Sequence, residues 1–421
     1  MACLSILLEL TTVTTAAATS TNAPDCTNYS QVAPRNRVAF NSATEVERAG
    51  YRVAGIVHEL PLFDTYRLIG REPMLMVVFG AGASYDSYPS IRPPTDFLPP
   101  GSRSRFEDVR PPLASQLFSD RDAFVKVASD FPDCQPIIPF VRHAPKHSSV
   151  EQVLETLQSE AKQNHRRYIQ LAAIRHYLQF IILECEREWR NVHKGVTNYV
   201  TLLDEIESWC KQNESVCLVT FNYDTMLEQA LPAVGVKIVE MNDYVTQHYS
   251  LIKLHGSVSW GRQVAPPLNM RVMNEWGVAN DLIKNAKDLR MTDEYRMVTS
   301  RPIGKSDELP LIPALAIPVV NKQEYECPKL HLDVLDSCLP QITKLLVVGW
   351  RASEQHFLQR LALGLKHELQ VMVVSGSPAD AEETINSLAV ARMRVIGRYQ
   401  KAEAGFSDFI VGRSVQGFLT S

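Results

Sequence analysis

Apolar residues in this chain fall into short unbroken runs separated by long stretches of helical periodicity. MLMVVFG (Met74–Gly80) is apolar throughout, the pattern of a strand buried on both faces. The turn GAGAS (Gly80–Ser84) follows it, so strand, turn and helix are predicted in that order. VCLVTF (Val216–Phe221) repeats the pattern, followed by NYD and a helical TMLEQAL that Asp224 can cap. Val236–Val239, Leu251–Leu254, Leu345–Val348 and Val371–Val374 are further short runs with β-branched residues and predict strands. Between the first two strands, Val150, Val153, Leu154, Leu157 and Ala161 recur at helical spacing behind a Ser149–Gln152 capping box. Leu171, Leu178, Ile181, Ile182, Cys185 and Trp189 extend the series, and their apolar faces suit the core of a lobe better than an oligomer surface. The alternation predicts an α/β fold, a Rossmann-like parallel sheet with helices on both faces. A helical insertion lobe is expected at about 113–214 and an irregular insertion at about 261–310.

Before Met74 the pattern is different. Eleven of the thirteen residues Thr11–Ala23 are Thr, Ser or Ala, with little to bury, so disorder is expected there. Residues 1–73 are expected to lie outside the fold, with Met74 or Met76 beginning the folded domain or translation itself. MACLSILLEL lacks the positive start of a signal peptide, the first basic residue being Arg35. Seven prolines fall between Pro89 and Pro112, which predicts a long stiffened loop.

Composition narrows the class of molecule. With 421 residues, 45% hydrophobic and 21% charged, the chain is long enough for a sizeable core. Its net charge of −4 provides no basic excess for a nucleic-acid backbone, and no run approaches the roughly 20 apolar residues of a membrane span. The eight cysteines include no C-x-x-C pair, which suits reduced thiols in a cytoplasmic protein and argues against a thiolate zinc site.

The candidate chemistry lies at predicted strand ends, where open parallel sheets bind ligands. Gly80, Ala81, Gly82 and Ser84 form a turn whose glycines would let backbone approach a phosphate at a helix start. Tyr85 stands where a third fingerprint glycine would be, which disfavours a hydride-transferring dehydrogenase. Asn222 and Asp224 sit in FNYD and His255 sits in LHGS, each at the end of a predicted strand.

Taken in order, GAGAS, FNYD, LHGS and the late LLVVGW resemble the sirtuin-like (silent-information-regulator) superfamily, specifically its bacterial NAD-consuming branch, over about Met74 to Arg398. The resemblance implies NAD as substrate, with Gly80, Ala81, Gly82 and Ser84 cradling its diphosphate. Asn222, with Asp224, would position the nicotinamide ribose or a water, and His255 would act on the ribose hydroxyls or the nucleophile. Gly349, Trp350 and Ser353 in GWRASEQHF are placed at the cofactor pocket, and Ser375 with Gly376 at the adenosine end.

Sirtuin deacylases carry a zinc ribbon after the H-G motif. This chain has no cysteine between Cys217 and Cys327, so no zinc is expected. The resulting expectation is an NAD glycohydrolase giving nicotinamide and ADP-ribose, with Asn222 and His255 catalytic and the 89–112 loop as a lid. Relatives imply antiphage defence by NAD depletion, a homo-oligomer and a partner such as a HerA-type ATPase. Two alternatives remain: a non-catalytic NAD or ADP-ribose sensor regulating a partner, and a protein deacylase or ADP-ribosyltransferase.

Overall fold

A computed structural model describes residues 74–94, 105–143, 149–209, 214–265, 275–298, 310–319 and 325–421, together with four short strands earlier in the chain. The chain divides into two compact units, Met1–Arg71 and Glu72–Ser421. In the first unit Thr12–Thr15, Ser20–Asn22, Arg37–Phe40 and Arg52–Val53 form a four-stranded sheet. Two of these strands lie in the tract expected to be without structure; Val13 and the threonines branch at Cβ, which favours extended backbone. The remainder of 1–73 lies outside the described residues.

The second unit is organised by six parallel strands. They are β1 (Met74–Phe79), β2 (Ser215–Thr220), β3 (Tyr249–Lys253), β7 (Ile342–Val348), β8 (Gln370–Val374) and β9 (Gln400–Ala402), in the spatial order β3-β2-β1-β7-β8-β9. Every neighbouring pair is parallel, with Val78 of β1 held between Val219 and Val347. The unbroken apolar runs are explained by burial on both faces, all six residues of β1 being buried. The order reverses at β1, and because crossovers between parallel strands are right-handed as a rule, such a reversal puts helices on both faces, the expected α/β Rossmann-like architecture.

The helical lobe also forms. Ser149 and Gln152 exchange the two bonds of the capping box at 2.8 and 3.2 Å, starting the helix Val150–Ala161. The 29-residue helix His165–His193 buries Leu171, Leu178, Ile181, Ile182, Cys185 and Trp189. Its apolar side meets Phe118, Phe124, Phe131 and Leu154, with Phe118 stacked on Tyr177 at 5.3 Å.

Three local expectations need correction, and one strand was not anticipated. Val236–Val239 is not a strand: the N–H groups of Val239 and Glu240 donate to the Asp243 carboxylate, so a side chain takes the bonds a ladder would need. The 89–112 stretch contains the helix Arg105–Val109, in the proline-free interval between Pro100 and Pro111. Within 261–310, expected to be irregular, the described residues are ordered. There β4 (Gly256–Ala265) and β5 (Arg290–Met297) pair antiparallel, the helix Glu275–Lys284 lies between them in sequence, and β6 (Leu311–Leu315) completes the sheet. Finally β9 was not anticipated, because QKA carries no apolar signal.

Candidate functional site at the strand ends

β1 ends at Gly80, β2 runs into Phe221–Asp224, β3 into Leu254 and His255, β7 into Gly349 and Trp350, and β8 into Ser375. Numbered along the chain, the parallel strands stand third, second, first, fourth, fifth, sixth. Sheets of this doubly wound class bind ligands outside the carboxyl ends where the order reverses, here between β1 and β7.

The two turns at that reversal lie backbone to backbone. A Cβ on Gly80 would stand 2.6 Å from both the Gly349 carbonyl oxygen and Trp350 Cα, and one on Gly82 would stand 2.9 Å from Gly349 Cα. Gly349 has φ +60°, and a Cβ there would lie 2.3 Å from Ala83 N. Gly82 N donates to the Gly349 oxygen at 3.0 Å. The glycines expected to admit a ligand also admit the neighbouring turn. Ala81 begins the five-residue helix that follows.

Asn222 ties β2 to this turn. Its Nδ2 donates to the Gly80 carbonyl at 3.0 Å and to Ser84 Oγ at 2.9 Å, and lies 3.3 Å from the Tyr199 hydroxyl. A carbonyl only accepts, so the amide is oriented with NH2 toward Gly80. Ser84 is buried and also meets Tyr199 OH at 2.9 Å. Burial, and then the charge of Asp224, push the Tyr199 phenol well above its ordinary range, so it stays a neutral hydroxyl here. Asp224 accepts from Met226 N at 3.1 Å at the start of the helix Met226–Ala230, one residue before the cap position, which Thr225 holds.

His255 is 5% exposed, its ring edge-on to Phe221 at 4.8 Å and 6.2 Å from Tyr223. Phe221 in turn stacks on Trp350 at 5.2 Å, so the Trp350 ring packs inside this end of the sheet. Glu354 accepts from Trp350 Nε1 at 2.5 Å and from Ser353 Oγ at 3.2 Å, which engages the Ser353 hydroxyl within its own turn. Ser375 accepts from Gly405 N through its carbonyl at 2.8 Å, joining β8 to the helix Gly405–Val411; Gly376 has open space beside it.

The structure thus joins Gly80, Gly82, Ser84, Asn222 and Gly349 in one contact set, with His255 linked to Trp350 through Phe221. Ser375 sits at the next strand end. Two surface hollows, along Ala379–Val390 and between Asp122 and Arg142, contain none of them.

Three residues of the site were not read from the sequence. Tyr199 comes from the helix Asn198–Trp209. Glu186, from the long lobe helix, accepts from Thr225 N at 3.0 Å and also from the Thr225 hydroxyl and Gln229 Nε2, clamping the start of Met226–Ala230. Its carboxyl is pushed up, first by burial and then by Asp224. Lys253, fully buried, pairs with Glu228 at 2.9 Å. Only Lys253 carried a local signal, a cation inside the apolar run LIKLHG. Among the described residues no group of three or more His, Cys, Asp or Glu could hold a metal ion.

The fold and these strand ends define a doubly wound α/β protein with a candidate ligand site at its order reversal. No family model matches the sequence, and no curated protein matches it. Among solved structures the chain is similar to a triply substituted Sir2 homologue in complex with 2′-O-acetyl-ADP-ribose, at 15% identity over 85% of this chain and 98% of that one, TM-score 0.36. It is similar also to a structure described as the structural basis for the mechanism and regulation of Sir2 enzymes, at 11% identity over 86% and 100%, TM-score 0.34. A third is Sir2Tm bound to a propionylated peptide, at 12% identity over 86% and 100%, TM-score 0.31. Among the described residues no helix is long and apolar enough to cross a membrane.

Proposed function

We propose that the chain is an NAD glycohydrolase, cleaving the bond between nicotinamide and ribose to give nicotinamide and ADP-ribose. The observation that carries the reading is the meeting of FNYD and LHGS beside the GAGAS turn, at the carboxyl ends of adjacent strands next to the order reversal. In the reaction, water adds to C1′ of the nicotinamide ribose as the C1′–N bond breaks. Its electron pair stays on the pyridine nitrogen, so neutral nicotinamide leaves. His255 takes the proton of the water and returns it to solvent, as an imidazole general base does. Asn222 spends its amide nitrogen on Gly80 and Ser84, so the part it offers a water or ribose hydroxyl is Oδ1. The aromatic wall of Phe221, Tyr223 and Trp350 around His255 limits bulk water, and holding the ribose in place lowers the barrier further.

The motif resemblance extends the reading to a cytoplasmic enzyme of antiphage defence. It would be controlled as a homo-oligomer or by a partner such as a HerA-type ATPase, with the proline-rich loop as a lid. The test is incubation of the purified chain with NAD and no peptide, following nicotinamide by chromatography. Release that is abolished in His255→Ala, with unfolding temperature retained, is expected. Absence of release from the parent would sink the hydrolase reading. Thermal stabilisation by NAD without turnover would favour a sensor, and release only when an acceptor peptide is added would favour a deacylase or transferase.

A further inference from the structure

Lys253 ends β3 two residues before His255, and its side chain is entirely buried. Its ammonium donates to the backbone carbonyl of Asp224, two residues after Asn222, and pairs with Glu228 Oε1 at 2.9 Å. Glu228 Oε1 also accepts from the Tyr244 hydroxyl at 3.2 Å, which accepts from Trp260 Nε1 at 2.9 Å. One cation therefore bonds the backbone of the turn that carries Asn222 while standing on the strand that delivers His255. A buried ion pair can commonly be replaced by apolar residues without loss of stability, so stability alone does not account for this one. An ammonium offers three donors that can hold a carbonyl and a carboxylate together, and an apolar side chain offers none.

We infer that Lys253 is a positioning residue for the proposed reaction, fixing the FNYD turn against the LHGS turn so that Asn222 and His255 keep their relative placement. The inference rests on the hydrolase reading for its catalytic half and on geometry alone for its structural half.

Lys253→Met by itself leaves Glu228 buried without its cation, and Glu228 Oε2 already has no partner, so this single variant is expected to unfold. The informative protein is the double variant Lys253→Met/Glu228→Gln, which removes both charges and keeps an acceptor for Tyr244. Two readouts are taken on the full chain. Amide hydrogen exchange without NAD should quicken in peptides covering 221–226 and 253–257 while the unfolding temperature holds. Nicotinamide release should fall in kcat by about tenfold, the scale of one hydrogen bond to a charged group, with KM unchanged. Unchanged exchange in those peptides, or a folded double variant with parental kcat, overturns the inference. If the parent chain releases no nicotinamide, the hydrolase reading fails on its own account, and the exchange measurement decides whether Lys253 holds the two turns.

Discussion

A graded set of glycine-to-alanine changes tests whether the GAGAS glycines serve the neighbouring turn. At Gly80 the added Cβ would meet two backbone atoms at 2.6 Å, and neither can move without shifting the β7 turn. Overpacking of this kind costs about 1–3 kcal/mol. Gly349→Ala adds to a 2.3 Å contact the penalty of a left-handed backbone at φ +60°, so a total of about 3–5 kcal/mol is expected. Gly82→Ala meets Gly349 Cα at 2.9 Å but gains about 1 kcal/mol of helix propensity, and should come out near 1 kcal/mol destabilised. Gly376, with nothing within 4 Å, is the control and should change by less than about 0.5 kcal/mol. Urea unfolding without NAD gives all four values, and an unchanged slope would show that stability alone had moved. If Gly80→Ala and Gly349→Ala unfold with the control, the turns are not held by each other, and the glycines serve a ligand after all.

Two other outcomes are expected. His331 is fully buried with both ring nitrogens unpartnered, and burial lowers its pKa from 6.5 to about 3. As pH falls below 6.5 the unfolded chain therefore takes up the proton first, so stability present above that pH is lost on acidification. His331→Leu should retain about 2 kcal/mol more of its neutral-pH stability at pH 5 than the parent does; Glu186, Glu228 and Asp86, whose raised carboxyl pKa values act in the opposite sense, are common to both proteins. Equal acid limbs in the two unfolding curves would refute it. Trp350→Ala should lose about 3–5 kcal/mol because the ring is sandwiched between Phe221 at 5.2 Å and Phe357 at 5.4 Å, and a loss below about 1 kcal/mol would mean the wall is not packed.

The strands of the parallel sheet were legible because burial on both faces leaves an unbroken apolar run, as in MLMVVF and LLVV. β9 and β5 were not, since QKA and RMTDEYRM are half exposed and their identity as strands comes from partners far away in sequence. Capping at Ser149 was legible because it is local. The site split along the same line. Asn222, His255 and the glycines follow strand ends and could be found in the text of the chain. Tyr199 and Glu186 reach the site from helices whose periodicity marks their neighbours as core and says nothing about where one polar side chain points. The close fit of Gly80 and Gly82 to a second turn was out of reach for a related reason: that turn begins at Gly349, more than half the chain away.

The central position of β1 has a consequence during synthesis. Its ladder partners begin at Ser215 on one side and Ile342 on the other, so no neighbour in sequence can cover it. At ribosomal speeds of about 5–20 residues per second, MLMVVF waits on the order of ten seconds for its first partner. A hexapeptide of this composition, without charge or proline, is a ready template for pairing between chains. Expression yield should therefore depend on chaperone supply during that interval, and slow translation ahead of residue 215 should lower it even when the finished fold is unaltered.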